Sequence, residues 1–241
     1  MAHRIHVDTR AFTATGRLCF AIATMSLLVL TSCAVFTGRY YSAEPIKARV
    51  VDEETKQPIE GVVVVAQWIL MRGGYSGRIP VGTLHVLETV TDANGNFSFP
   101  AWGPLANTTE GSLDREDPII WFFKPGYGIG GISNHISYSD KPSRRKWERS
   151  GTTIELEIFK GTKREYALHV GSRPSNLLEN PNPNLLGDCH FTKTPLMAAA
   201  IDVELQALEK QGYQGGGFRI SLLLPEYAAK CGFVRPPIAK L

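Results

Sequence analysis

The sequence predicts a mainly β protein, built as an antiparallel β-sandwich with a small C-terminal helical appendage. Short apolar or alternating segments recur between residues 46 and 159, and turns rich in Gly, Pro and Asp separate them. No segment between these strands has the 3.6-residue period of an amphipathic helix. Short strands at this spacing are typical of two packed antiparallel sheets and not of alternating strands and helices.

A basic leader and an apolar core open the chain of 241 residues. Arg4, Arg10 and Arg17 precede the apolar run 18–30, LCFAIATMSLLVL. This order is typical of a secretory signal peptide. The alternative is an uncleaved anchor, but the run is shorter than the roughly 20 apolar residues that span a bilayer. We therefore predict a signal peptide over 1–32 and export of the remaining chain.

Leu30-Thr31-Ser32-Cys33 resembles the lipobox of bacterial lipoproteins. The resemblance implies lipidation of the Cys33 sulfur with diacylglycerol, cleavage before Cys33, and a further acyl chain such as palmitate on the new amine. Two or three acyl chains make a stable membrane attachment. Ala34 stands where an Asp often signals inner-membrane retention, so the resemblance implies the outer membrane, on its periplasmic or surface face. Residues 33–45 are predicted to be a tether.

Six strands are predicted from two kinds of pattern. Residues 46–52 alternate apolar and charged side chains, whereas 61–71, GVVVVAQWILM, form a continuous run suited to a strand buried on both faces. Asp92-Ala93-Asn94-Gly95 is a tight-turn signal that predicts a hairpin. The predicted strands are 46–52, 61–71, 84–91, 96–100, 118–124 and 152–159.

Four stretches of these strands and turns carry a family resemblance. ARVVDEETKQPIEGVVVV, TDANGNFSFP, FFKPGYG and TIELEIF resemble, in that order, the carboxypeptidase regulatory-like domain, an Ig-like or transthyretin-like β-sandwich. The resemblance covers 46–160. It implies that Asp52 and Thr55 lie in the first turn and that Phe97 and Tyr127 fill the core. It implies a fold and no activity.

Three long connections are the predicted place for ligand binding. Residues 72–83, 101–117 and 128–150 exceed the usual hairpin length, and loops often carry function. Their aromatic and basic side chains could bind a polar polymer such as a glycan; the alternative is exposed loops without a partner, and the run 144–149 is interpreted as a solvated face. The candidate binding residues are Arg72, Tyr75, Arg78, Tyr127, His135, Tyr138 and Trp147.

The cysteine count predicts one disulfide. Cys19 leaves with the leader and Cys33 carries lipid, so Cys189 and Cys231 remain as a pair in an oxidising compartment. The alternative uses Asp188-Cys189-His190 as metal ligands or as a nucleophile pair, but no CxxC or HExxH spacing supplies further ligands. We predict neither a metal nor a cofactor.

Residues 161–241 are predicted to be an irregular and helical extension. A helix is expected from Pro195 to Gly212, with Thr194 as its N-cap. Its apolar stripe would pack against an outer sheet face or against the strand-like stretch 217–224. A short turn over 225–231 would bring Cys231 to Cys189.

The predicted function is that of a lipid-anchored cell-envelope protein, acting as a non-catalytic binding or structural module. Its expected partners are the membrane, through the lipid, and glycans or envelope proteins. The net charge of +3 on 241 residues indicates no nucleic-acid partner. The alternative is an envelope enzyme with an active site in the loops, although no nucleophile, base and orienting group share a recognisable spacing.

Overall fold

The computed structural model describes residues 39–75, 77–135, 143–172, 189–214 and 225–237. The predicted lipidation residue Cys33, the candidate Tyr138 and the strand-like stretch 217–224 lie outside these ranges. The described strands are β1 (Arg39–Ala43), β2 (Ile46–Asp52), β3 (Val63–Gly74), β4 (Gly77–Val90), β5 (Asn96–Phe99), β6 (Trp102–Asn107), β7 (Ser112–Leu113), β8 (Ile119–Phe123), β9 (Gly130–Ile132), β10 (Arg144–Arg145) and β11 (Thr153–Leu156). The helices are α1 (Lys163–Ser172), α2 (Pro195–Lys210) and α3 (Pro225–Lys230), and a 3₁₀ turn, His190–Lys193, precedes α2.

Two β layers form the body. In the first layer, β2 lies between antiparallel β5 and parallel β11, and β1 lies in the same way between β6 and β10. In the second layer the strand order is β4-β3-β8-β9, all antiparallel, and β7 pairs with the outer part of β3. This confirms the prediction of a mainly β, sandwich-like fold with a small helical part.

The side chains between the two layers form the main core. Phe97 and Phe99 of β5 enter it from the first layer, as the alternation of NFSF predicts, and Phe122 of β8 enters from the second. The rings of Phe97 and Phe122 meet edge to face, with centroids 5.9 Å apart. Burying each of these side chains contributes about 1.5 to 3 kcal/mol, so alternation on both layers accounts for the sandwich.

The first eight residues of β3, Val63–Leu70, are apolar except for Gln67, and both faces of the strand are covered there. Val64 and Trp68 face the first layer, whereas Val63 and Val65 face a third layer made of helices. Helix α2 lays its apolar stripe, including Met197 and Ile201, on this second face. The prediction that this helix packs on an outer sheet face is therefore confirmed.

A disulfide closes the helical layer. Cys189 and Cys231 are bonded, with their Cα atoms 5.4 Å apart, as the cysteine count predicts. Cys189 lies just before the 3₁₀ turn that leads into α2, and Cys231 follows the last residue of α3. The bond therefore joins the two ends of the segment that covers the sheet.

The tether predicted over 33–45 is wrong for its described part, because Arg39–Ala43 forms a central strand. Strand β1 pairs with β6 and β10, and it buries Tyr41 and Ala43 in the core. Tyr41 and Ala43 are two positions apart and both are buried, which is the alternation typical of a strand. The small and polar residues around them obscure this alternation in the sequence. The sandwich accordingly begins at residue 39 rather than 46.

The three predicted long loops are also more ordered than expected. Residues 72–83 continue β3 and β4 into a long hairpin, 101–117 contain β6 and β7, and 128–150 contain β9 and β10. Gly and Pro within these stretches obscured the strand pattern. Pairing with neighbouring strands, which sequence periodicity does not report, overrides that weak local preference.

Helix α1 was not predicted, although the sequence carries a signal for it. Thr162 and Glu165 form a capping box: the Glu165 amide donates to Thr162 Oγ1 at 3.2 Å, and the Thr162 amide donates to Glu165 Oε2 at 2.7 Å. Tyr166 and Val170 then bury against the sheet. The apolar stripe is short, so the capping box was the clearer signal.

Thr194 is the N-cap residue of α2, as predicted, but its side chain does not cap the helix. The Thr194 side chain makes no capping hydrogen bond, and its buried hydroxyl has no partner among the described residues. Glu88 of β4 takes this role, because its two carboxylate oxygens accept from the amides of Leu196, at 2.8 Å, and Met197, at 2.6 Å. An acidic group is favourable at a helix N-terminus, and here it also ties the helix to the sheet.

We expect Glu88 to make stability depend on pH. Burial raises the pKa of Glu88 to about 7, although the two amides that donate to it act in the opposite direction. The folded state therefore binds the proton more tightly than the unfolded chain, whose glutamate titrates near 4.5. The resulting stabilisation is complete below the unfolded pKa and is lost as the pH rises through the folded pKa.

The expected loss in unfolding free energy between pH 4.5 and 8 is about 1 to 3 kcal/mol. Urea unfolding at a series of pH values measures it. The matched variant is Glu88→Gln, which keeps an acceptor for the helix amides but does not titrate, so its pH profile should be flatter by this amount. Parallel profiles for the two proteins would contradict the assignment.

Candidate functional site

Trp147, predicted to bind ligand, lies inside the core instead. Its side chain is 1% exposed and packs near Phe97, with ring centroids 6.3 Å apart. The short strand β10 ends just before it, and the alternation that turns Arg145 inward also turns Trp147 inward. The prediction that Trp147 contacts a ligand is therefore wrong.

Tyr127 contacts a turn rather than an open surface. Its hydroxyl donates to Asp52 Oδ2 at 3.0 Å, and Asp52 Oδ1 accepts from the Thr55 amide at 2.7 Å. The hydrogen bond from the Thr55 amide is the main cause that lowers the pKa of Asp52. Tyr127 thus links the turn after β2 to the turn after β8, which is a structural role.

The remaining candidates that the structure describes do not form one site. Arg72 and Arg78 lie near the tip of the β3–β4 hairpin beside Tyr75, and Tyr75 is fully exposed. Arg72 pairs with Glu110 at 3.1 Å and Arg78 with Asp114 at 2.8 Å, so both charges are compensated. His135 is exposed elsewhere, where its backbone amide donates to Glu148 Oε2 at 2.8 Å. The structure therefore does not assemble the predicted binding loops into a common groove.

A polar groove lies on the outer face of the first layer. The side chains that line it form rows across paired strands. Lys47 of β2 is opposite Ser98 of β5, and Arg49 lies between Asn96 of β5 and Thr153 of β11. The groove is open to solvent and has a volume of about 680 Å³. It is lined by Lys47, Ala48, Arg49, Thr89, Val90, Asp92, Asn96, Phe97, Ser98, Gly151, Thr152 and Thr153.

The groove presents cations and hydroxyl groups. Within the described part of the chain, the Lys47 ammonium has no hydrogen-bond or ion-pair partner, and Arg49 donates through Nε to the Asn94 carbonyl at 3.0 Å. The hydroxyls of Ser98 and Thr153 are likewise without a partner among the described residues. Such groups can donate to and accept from a polyhydroxylated ligand and can bind an anion.

Asp92 lines the same groove, but the tight turn between β4 and β5 already uses its carboxylate. Oδ1 accepts from the amides of Asn94, at 2.9 Å, and Asn96, at 2.8 Å. The hydrogen bond from the Asn96 amide is the main cause that lowers the pKa of Asp92, and nearby Arg49 lowers it further. The carboxylate holds the turn in shape and offsets part of the positive charge of Arg49.

The sequence carried part of the signal for this groove. Alternation in IKARVVD and NFSF predicts that Lys47, Arg49, Asn96 and Ser98 face outward, but outward-facing polar residues usually mark a solvated face. The groove arises because β2, β5 and β11 are neighbours, and their residues are up to about a hundred positions apart. No short motif records that juxtaposition.

A smaller cleft lies where the helices meet the sandwich. It has a volume of about 320 Å³ and includes Tyr166, Glu204 and Lys163. The Tyr166 hydroxyl accepts from the Gly126 amide at 2.7 Å, and Lys163 Nζ donates to Gln211 Oε1 at 2.7 Å. Burial raises the pKa of the Tyr166 hydroxyl. The Tyr166 hydroxyl and the Lys163 ammonium therefore already have hydrogen-bond partners within the protein.

The described histidines of β4, α1 and the 3₁₀ turn have separate surroundings. The rings of His85 and Trp102 pack in a tilted arrangement with their centroids 4.8 Å apart, and burial lowers the pKa of His85. His169 Nε2 accepts from the Ile129 amide at 3.0 Å, and His190 is buried beneath the helical layer. Across the ranges that the structure describes, no three His, Cys, Asp or Glu side chains are grouped to bind a metal ion.

Comparisons with known proteins leave the family open. No protein-family model matches the chain, and no curated protein matches it. Among solved structures, the chain is similar to a 9R-lipoxygenase from Cyanothece PCC8801, with 11% identity and a TM-score of 0.24. The matched region covers 70% of this chain and 26% of the lipoxygenase chain. A likeness this weak carries no argument about fold or function.

None of the described helices combines the length and the apolar character that crossing a bilayer requires.

Proposed function

We propose that this protein is a non-catalytic binding module of the bacterial cell envelope, which holds a polyhydroxylated ligand in the groove of β2, β5 and β11. The observation that carries the proposal is the outward row of Lys47, Ser98, Arg49 and Thr153, whose charged and hydroxyl groups are available to a ligand. A polar lining in an open groove suits a sugar polymer better than an apolar small molecule, which is usually enclosed by apolar walls.

The envelope location is proposed from the sequence. The basic leader, the apolar run 18–30 and the Leu30-Thr31-Ser32-Cys33 motif support export and lipidation at Cys33. The disulfide between Cys189 and Cys231 supports an oxidising compartment. The same proposal places the domain in the carboxypeptidase regulatory-like family, on the outer membrane, with its partners among envelope glycans and proteins.

Blocking the groove should abolish binding. The variant Ser98→Trp places an indole on the exposed row beside Lys47, and we expect it to reduce the amount of protein that co-sediments with purified peptidoglycan by about tenfold, because the bulky ring fills the space a sugar would occupy. The matched control is Ala101→Trp, an exposed position beyond the end of β5 and outside the groove lining. Equal loss in both variants would argue against the groove, and no co-sedimentation of the unmodified protein would argue against peptidoglycan as its ligand.

Removing the cysteine of the lipobox should release the protein from the membrane. Cells expressing Cys33→Ala are expected to carry the protein in the soluble fraction, since two or three acyl chains provide the stable attachment. Intact-mass measurement of the unmodified protein should show a chain that begins at Cys33 with lipid added. A mass equal to the unlipidated chain would contradict the anchor.

A further inference from the structure

We propose that the ligand of the groove is an anionic polysaccharide of the polyuronate class, and that Lys47 binds its carboxylate groups. This inference rests on the proposed function and adds the chemical class of the ligand. It follows from three properties of the groove: the fixed position of Lys47, the unequal charge at its two ends, and the hydroxyl groups between them.

Lys47 projects from a backbone that is held on both sides. Its amide donates to Ser150 Oγ at 3.1 Å, and its carbonyl accepts from the Gly151 amide at 2.6 Å. Across the strand it lies opposite Ser98. The backbone of Lys47 is therefore positioned in advance, while the exposed ammonium is left to a ligand. Because the backbone is already held, binding would cost only the conformational freedom of the Lys47 side chain.

Three described cations on the surface of the sandwich are used in ion pairs. Lys56 pairs with Glu155 at 2.8 Å, and Lys160 pairs with Glu157 at 2.8 Å. Arg144 pairs with Glu44 at 3.3 Å. Lys47 differs from these three because the described part of the chain places no carboxylate within ion-pair distance of it. Its charge is available to an anion from outside.

The two ends of the groove differ in charge. Arg49 already donates to the Asn94 carbonyl, and it interacts with the Asp92 carboxylate, so that end is close to neutral. The end at Lys47, Ser98 and Gly151 carries no acidic lining residue. An anionic group is thus favoured at Lys47, and neutral hydroxyls are favoured at Arg49, Asn96 and Thr153.

The spacing along β2 fits an extended ligand. Lys47 and Arg49 are two residues apart on one face, which places them about 7 Å from each other along the strand. Hydroxyls of Ser98 and Thr153 lie beside them. One uronate residue at Lys47 therefore leaves the next sugar of the chain within reach of Arg49. A single small anion would use only one end of the groove.

The test compares two polymers that differ in charge. Full-length protein in detergent is titrated by calorimetry with alginate oligomers, which are polyuronates, and with dextran oligomers of the same length, which are neutral. We expect alginate to bind more tightly, and Lys47→Gln to weaken alginate binding by about tenfold or more, because hydrogen bonds to charged groups are the stronger ones. Dextran binding should change little.

The matched control is Lys193→Gln, which removes the same charge from an exposed lysine in the helical layer. It should leave alginate binding unchanged. Equal weakening by Lys193→Gln would indicate a general charge effect and overturn the assignment of Lys47. If alginate and dextran bind equally and Ser98→Trp abolishes both, the ligand is a neutral glycan and only this inference fails. If neither polymer binds, and the protein also fails to co-sediment with peptidoglycan, the proposed function fails as well.

Discussion

Replacing Asp117 with alanine is expected to lower the unfolding free energy by about 2 to 5 kcal/mol, because each of two amides would lose its acceptor and an unsatisfied buried polar group costs about 1 to 3 kcal/mol. Asp117 is 1% exposed. Its Oδ1 accepts from the Ile69 amide at 3.1 Å, and its Oδ2 accepts from the Asp114 amide at 2.8 Å. The alanine variant would leave both amides without their acceptor.

Arg145 increases this effect. Its guanidinium is also 1% exposed, donates through Nη2 to the Leu113 carbonyl at 3.3 Å, and has its Cζ 5.7 Å from the centre of the Tyr41 ring. Burial lowers the pKa of Arg145, and the charge of Asp117 opposes that shift. Without Asp117, a buried positive charge would lose its main compensation.

Urea unfolding of Asp117→Ala measures the loss. Glu110→Ala is the control, because it removes a carboxylate from an exposed ion pair with Arg72 and should cost about 0 to 1 kcal/mol. The double variant Asp117→Ala/Arg145→Met should lose less stability than Asp117→Ala alone, since an apolar side chain replaces the unpaired charge. An Asp117→Ala variant within 1 kcal/mol of the unmodified protein would refute the structural role of this buried carboxyl group.

Loss of the disulfide is expected to lower stability by a similar amount, about 4 kcal/mol in the chain-entropy model for a loop of this length. Cys189 and Cys231 are separated by 42 positions, and the bond joins the segment before α2 to the end of α3. The double variant Cys189→Ser/Cys231→Ser should therefore loosen the helical layer first and expose the sheet face of Val63 and Val65 to solvent.

Thermal unfolding and amide hydrogen exchange test this prediction together. The midpoint should fall in the double variant, and the amides of α2 should exchange faster than those of β3. A reducing agent should reproduce the effect in the unmodified protein and change nothing further in the variant. An unmodified protein whose midpoint is the same with and without the reducing agent would show that the bond contributes nothing to stability.

Much of the sandwich was predictable because its signals are local. Alternation in IKARVVD and TIELEIF places apolar side chains on one face, and Asp92-Ala93-Asn94-Gly95 forms the predicted tight turn through contacts within itself. The hairpin predicted from this turn is wrong, because β4 pairs with β3 and β5 pairs with β2. The run GVVVVAQWILM predicted a strand buried on both faces, and β3 has that environment. The helix at 195–210 followed from its stripe and from Pro195.

Other features depend on partners that are distant along the chain. Thr194 has the chemistry of an N-cap, but Glu88, over a hundred residues earlier, occupies the helix N-terminus. Trp147 follows a basic run that favours an exposed loop, yet pairing of β10 with β1 turns it into the core. In both cases a contact with residues distant along the chain outweighed the structure that the local sequence favours.

The sequence by itself predicted six of the eleven described strands and the pairing of Cys189 with Cys231. The proposed location of the protein also rests on the sequence alone. Each of these depends on neighbouring residues or on composition. Only the tertiary structure decided where a ligand could bind. Lys47, Ser98 and Thr153 come from three strands, and they share one face because strand pairing aligns β2 with β5 and β11. Register is set by the packing of the opposite, apolar face, so the polar groove depends on the core beneath it.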